Sequence, residues 1–131
     1  MNAPQQLVNR TPHAVRLLRQ DGTPLCDLPP ASVPARCREI RHGAGTLALG
    51  DSARGDGEAV VPLVRVGFAD VTGLPAPSPN TWHIVSRLVA DALPHRTDLL
   101  VPHDVTRDAD GQITGCRALA IGAALRPDEE H

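Results

Sequence analysis

The sequence predicts a mainly β, α+β fold: an antiparallel sheet of about seven to eight short strands with one short helix near residues 87–93. Three observations lead there. Short runs rich in Val, Ile, Leu and Thr recur along the chain, each bounded by Gly, Pro, Asn or Asp. Most connections between them are tight turns, which join antiparallel strands directly and cannot carry the crossover that a parallel pair requires. A single stretch, RLVADAL after Ser86, has helical spacing behind a good N-cap residue.

The elements follow in order. Residues 7–18 read as extended, with Pro12 breaking the run because it offers no N–H to a ladder. Gln20 to Thr23 form a turn around Asp21-Gly22, and residues 25–28 return as the hairpin partner. After Pro29-Pro30, residues 33–40 alternate well enough for a strand, and residues 46–49 suggest a further short one between two Gly clusters. Residues 50–58, GDSARGDGE, read as a flexible loop without an apolar anchor, and its Arg54-Gly55-Asp56 triplet as chance. Residues 59–71 are the longest β-prone run, with Pro62 implying an edge or a bulge. The Pro-rich GLPAPSPN then leads into a strand at residues 81–85, in which Trp82 and Ile84 share one face and His83 and Val85 the other. Its apolar residues on both faces predict a central strand, with Trp82 half-buried beside the helix start at the rim of a pocket. Leu88, Val89, Ala92 and Leu93 mark the buried helix face, and Pro94 halts it. A short buried strand at 99–101, a turn at 107–112 and a strand at 113–121 complete the reading, followed by a charged, frayed tail at 125–131.

Composition narrows the function classes. The chain has 131 residues, the size of one domain spanning 1–131. A net charge of −2 gives no basis for nucleic-acid or membrane-surface binding. All 13 basic residues are Arg, so Schiff-base and lysine general-base chemistry are excluded. Trp82 and Phe68 are the only aromatics, too few for a base-stacking platform. The three cysteines, Cys26, Cys37 and Cys116, form no CxxC pair and read as small buried hydrophobes rather than disulfides or zinc ligands. No apolar run suits a signal peptide or a membrane span, so a cytoplasmic location is expected.

Catalytic and metal signatures are thin. The histidines His13, His42, His83, His95 and His103 form no HExxH, HxH or HxxxH pattern, so no metal and no cofactor are expected. Ser86 lies between strand and helix but lacks the GxSxG of a nucleophile elbow, and helix capping accounts for it. Cys37 between Arg36 and Arg38 would be acidified if exposed, but strand alternation turns those two arginines to the opposite face.

Several stretches are familiar together. Leu7-Val8-Asn9-Arg10-Thr11-Pro12-His13, then Gly73-Leu74-Pro75-Ala76-Pro77 with Thr81 to Ala90, then Arg96 to Asp104, then Val105 to Asp108 and Cys116 to Leu119 carry the pattern. They resemble the "VNLTPH", "GLPxP…TxYIVSxLVA" and "RxDLVVP…RDxxGxIxGCRxL" motifs of a family of small uncharacterised proteins of phages, prophages and actinobacteria. Arg10, Trp82, His83 and His103 depart from those motifs. The resemblance implies a phage-related, actinobacterial setting and brings no activity with it.

These readings favour a non-enzymatic accessory module that binds a small ligand or a protein, possible homo-oligomerisation included. The candidate ligand-binding set is Asn9, Thr11, His13, Arg36, Trp82, Arg96, Asp98, Arg107 and Arg117, expected to meet around one shallow pocket. An aromatic beside several guanidinium groups suits a nucleotide-like anion, and the phage setting suggests a sponge for nucleotide signals. One alternative is a small hydrolase of a nucleotide-like substrate using Asp98, His103 and Asp104. The other is a structural oligomer subunit, since edge strands leave room for self-association.

Overall fold

Eight strands and one helix form among residues 4–50 and 59–122, which the computed structural model describes. The strands are β1 (Gln6–Asn9), β2 (Val15–Leu18), β3 (Pro24–Leu28), β4 (Arg36–Ala48), β5 (Val60–Thr72), β6 (Thr81–Ile84), β7 (Leu99–Arg107) and β8 (Ile113–Ile121); α1 is Arg87–Ala92. The mainly β, α+β class is as the sequence predicts. Most of the expected 50–58 loop, its Arg-Gly-Asp triplet and the 125–131 tail lie outside the described residues.

The chain divides into two compact units, Met1–Cys37 with Val71–His131, and Arg38–Asp70. The first contains a six-stranded sheet in the order β1-β6-β7-β8-β2-β3. It is mixed rather than antiparallel: β1 with β6, β6 with β7 and β2 with β8 run parallel, while β2 with β3 and β7 with β8 run antiparallel. The tight turns constrain only β2–β3 and β7–β8, the consecutive pairs they join. Distant segments supply the parallel pairs, and β6–α1–β7 is a crossover unit whose helix makes the return.

The sheet curls. Leu7 of the edge strand β1 and Leu28 of the opposite edge strand β3 pack against the same cluster of Val15, Ile84 and Cys116, joined by Leu17, Leu100, Val105 and Leu119. In a flat six-stranded sheet those edges would stand about 24 Å apart. Here the Asn9 side chain at the end of β1 donates 3.0 Å to the carbonyl of Pro29, just past β3. The outer face carries the second core: Val85, Val89, Ala90, Leu99, Val101 and Ala35, with Leu74 and Leu93 packed against them.

The helix begins as expected, with Ser86 Oγ accepting from Val89 N at 3.2 Å. Its buried residues are Val89 and Ala90, however, and Leu88 is exposed. In a six-residue helix, spacings of three and four do not fix the phase; the cap does. Cys116 is buried, and burial pushes its thiol pKa up. Cys26 is exposed because β3 is an outer strand, which corrects the expectation of three buried cysteines.

The second unit holds most of β4 and β5, which pair as a two-stranded sheet. The Leu49 N–H donates 2.7 Å to the Ala59 carbonyl, placing the end of β4 beside the start of β5 as in a hairpin. Separate short strands expected at 33–40 and 46–49 are one 13-residue strand, with Gly45 absorbing a φ of 94° inside it.

Candidate functional site

Asn9, Thr11 and His13 lie together, but their polar groups face one another. Asn9 Nδ2 donates to the His13 carbonyl at 2.8 Å as well as to Pro29; Asn9 Oδ1 accepts from Thr11 N at 3.0 Å and from Thr11 Oγ1 at 2.7 Å. Asn9 and Thr11 are buried. This is a loop staple in which short polar side chains replace backbone partners, and it leaves the two of them little capacity to grip a ligand.

The expected arginine cluster does not assemble. Arg96 sits before β7, where it forms a two-pronged ion pair with Asp98 at 2.8 Å on each prong and donates 3.1 Å to the Pro75 carbonyl. Arg107 lies at the far end of β7, which alone spans roughly 26 Å by strand rise, and is bonded to the Gly111 carbonyl of its own turn. Arg36 and Arg117 are exposed on β4 and β8. Of the hydrolase alternative, Asp98 precedes β7 and is taken up by Arg96, while His103 and Asp104 lie further along that strand.

What the fold brings together instead is a chain of charge that includes a residue outside the predicted set. Arg10 Nε donates 3.1 Å to His83 Nδ1. That bond fixes the neutral ring's proton on Nε2, which faces Asp98 Oδ2 at 3.8 Å without a hydrogen-bond partner among the described residues. His83 is 1% exposed. Burial first, then the Arg10 charge, lower its pKa, against the opposing pull of Asp98. The hydrogen bonds from Arg96 hold the Asp98 carboxyl below its ordinary range. His83 is therefore a poor proton acceptor: its lone pair is occupied and its ring is out of solvent. Arg10 and His83 contact each other across 73 residues of sequence. Only the fold reveals that pair, since neither residue has a local signal pointing to the other.

A pH dependence follows. Because the folded His83 binds its proton less readily than the unfolded one, stability is full above the unfolded pKa of about 6.5 and falls as acid is added below it. Asp98 acts in a lower window, below about 3.9, where its favourable ionisation is lost. Thermal unfolding of His83→Asn, which keeps an acceptor for Arg10, should show a flatter melting-temperature profile between roughly pH 6.5 and 5 than the parent. Parallel profiles for the two proteins would refute the assignment.

The cleft lies on the concave face. Trp82 shares that face with Ile84, while His83 and Val85 face the helix side, as alternation predicts. The strand is interior to the sheet, as expected, but Trp82 points away from the α1 side rather than toward it. Half-buried, it lines a cleft of about 450 Å³ with Gln5, Gln6, Leu7, Leu100 and Leu119. Parallel pairing of β1 with β6 sets Leu7 beside Trp82, and Trp82 Nε1 donates 2.9 Å to Gln5 Oε1. Gln5 Nε2 in turn donates 3.2 Å to Asn80 Oδ1, on a residue whose φ of 56° closes the turn before β6. Of the predicted set only Trp82 lines this cleft. Gln5 and Gln6 carry no motif, and only the β1–β6 register places them there.

Compared with protein-family models, with curated proteins and with solved structures, this chain matches none, so the argument for function rests on the site itself.

Proposed function

We propose that the protein is a non-enzymatic binding module that captures a planar, nucleobase-like ligand in the Trp82 cleft. The observation that carries this reading is the lining: one indole, three leucines and two glutamine amides around about 450 Å³. That volume lies within the range of small-molecule sites, and the mouth of a curled sheet is a common place for one. The indole offers a stacking face, the Gln6 amide offers both a donor and an acceptor to the edge of a heterocycle, and the Gln5 amide holds the indole in place through its bonds to Trp82 Nε1 and Asn80 Oδ1. None of the six side chains can act as a nucleophile or exchange a proton near neutral pH, so the chemistry they support is recognition. Among the described residues no guanidinium lines the cleft, so the phosphate of a nucleotide would extend outward from it. Action by occupancy, in a phage–host setting, is part of the proposal.

Trp82 is the only Trp and the chain has no Tyr, so intrinsic emission reports on this cleft alone. Titration with the common nucleosides and their mono- and cyclic nucleotides should give saturable quenching for at least one base. Calorimetry with Trp82→Ala should show that ligand's affinity lowered about 5- to 100-fold, the scale of one lost stacking contact. Emission unmoved by the whole series at millimolar concentration would overturn the assignment of a nucleobase-like ligand.

A further inference from the structure

The two tight hairpin turns of the six-stranded sheet are built alike and carry the same dipeptide. Asp21-Gly22 joins β2 to β3, and Asp110-Gly111 joins β7 to β8. In each the glycine has a positive φ, 91° at Gly22 and 82° at Gly111. Each glycine amide donates to a carbonyl at the start of its turn, Gly22 to Arg19 at 2.9 Å and Gly111 to Asp108 at 3.0 Å. A second bond closes each turn, from Arg19 N to the Thr23 carbonyl at 2.8 Å and from Asp108 N to the Gln112 carbonyl at 2.9 Å. The two carboxylates differ. Asp21 Oδ1 accepts from Thr23 Oγ1 at 2.6 Å and Thr23 N at 2.9 Å, and those bonds hold its carboxyl below the ordinary range. In the other turn the capping role passes to Asp108, whose Oδ1 takes the Asp110 and Gln112 amides. The exposed Asp110 carboxylate accepts no hydrogen bond among the described residues.

We infer that Asp110-Gly111 is a site of covalent self-modification, where the aspartate isomerises to isoaspartate, and that Thr23 holds Asp21-Gly22 back from the same reaction. The Gly111 nitrogen bonds to Asp110 Cγ, and the hydroxyl of the carboxyl group leaves with the amide proton as water. Water then opens the cyclic imide. Its addition at the main-chain carbonyl breaks that carbon's bond to nitrogen and leaves the chain running through Asp110 Cγ, one methylene longer. Addition at the other carbonyl restores aspartate. Water is released and taken up again, nothing is oxidised or reduced, and the mass is unchanged. Glycine favours ring closure because no side chain crowds the attacking nitrogen. Both glycine amides are tied in the same way, so the carboxyl groups make the difference. Asp21 has to leave two bonds before its Cγ can turn to the chain, and those bonds favour the ionised form, the poorer electrophile. Space is also open at Gly111, with nothing within 4 Å of an added Cβ, whereas the Arg117 guanidinium lies 3.6 Å from that position at Gly22. A third pair, Asp56-Gly57, lies outside the described residues. The inference does not depend on the Trp82 cleft.

The test holds the full chain in mildly acidic buffer at physiological temperature for several weeks and digests samples with trypsin. Cleavage after arginine puts the two sites on separate peptides, Gln20–Arg36 and Asp108–Arg117. Chromatography separates the isoaspartyl forms, and electron-based fragmentation places each one in its peptide. Isoaspartate should accumulate at Asp110 at least about 5-fold faster than at Asp21, the scale of one lost hydrogen bond. In denaturant the two rates should converge, because the fold is what separates them. Thr23→Val keeps the branched shape and the amide but removes the hydroxyl, and Trp82 emission checks that the variant folds. It should raise the rate at Asp21 by about 5-fold and leave Asp110 unchanged. No isoaspartate at Asp110, equal rates at the two sites in the folded protein, a difference that persists in denaturant, or an Asp21 rate unmoved by Thr23→Val would each overturn the inference.

Discussion

Asn9→Ala should lower stability by about 3 kcal/mol, equivalent to roughly 10 °C in melting temperature for a chain of this size. The side chain makes two donor bonds, to the carbonyls of His13 and Pro29, and accepts from the Thr11 amide and hydroxyl. Truncation strands several of those groups in a buried or half-buried setting, at about 1–3 kcal/mol each before relaxation. The effect exceeds that of an ordinary turn residue because the bond to Pro29 joins the two edges of the curled sheet. Asn9→Asp discriminates between shape and polarity. It keeps the acceptor for Thr11 but turns an oxygen toward two carbonyls, so it should be at least as damaging as Ala. Thr11→Val should cost less, about 1 kcal/mol, since it removes one hydroxyl and leaves the Asn9 bridge. Trp82 emission during thermal unfolding measures all three. An Asn9→Ala protein that melts within about 2 °C of the parent would show that water replaces the bridge freely.

The strand runs, the capped helix and the 107–112 turn were legible because each is specified within a few residues of sequence. Asp108 shows how local that specification is: its Oδ1 accepts from Asp110 N and Gln112 N, closing the turn that begins the final strand. Parallel pairing was not legible. Leu7 and Trp82 are neighbours only because β1 and β6 meet across more than 70 residues, and no turn chemistry connects them. The same separation hid the Arg10–His83 bond. Gly43 and Gly45 read as punctuation, yet they lie within a long strand whose surroundings are open enough for an irregular residue. The Asn9, Thr11 and His13 cluster was a correct reading of proximity with the wrong purpose. Short polar side chains at a spacing of two satisfy nearby backbone more readily than they reach a ligand. The arginines failed as a cluster for an equally physical reason. A strand separates its ends by about 3.3 Å per residue, so Arg96, just before β7, and Arg107, at its far end, cannot converge.

Gly73→Ala should be more disruptive still, at roughly 3–5 kcal/mol, and a matched control separates its two causes. Gly73 has φ 82°, a conformation that costs an L residue about 1–2 kcal/mol. Its surroundings add a second penalty, because a Cβ there would lie 2.4 Å from the Pro34 carbonyl oxygen and 3.0 Å from its carbon. Those are backbone atoms, and the Pro34 carbonyl is tied to Ala35, whose N–H donates 2.8 Å to the Arg10 carbonyl and whose side chain belongs to the outer core. Relief would therefore have to move a hydrogen-bonded segment rather than rotate a side chain. Gly111 has the same φ of 82° but nothing within 4 Å of the added atom. Gly111→Ala should accordingly show the backbone strain alone, about 1 kcal/mol, and the difference between the two variants measures the close approach of residues 34–35 to residue 73. Chemical denaturation of both proteins gives that difference directly. Equal losses would mean that the segment before β4 yields at no cost, and that the packing of Gly73 against Pro34 does not help hold the outer core in place.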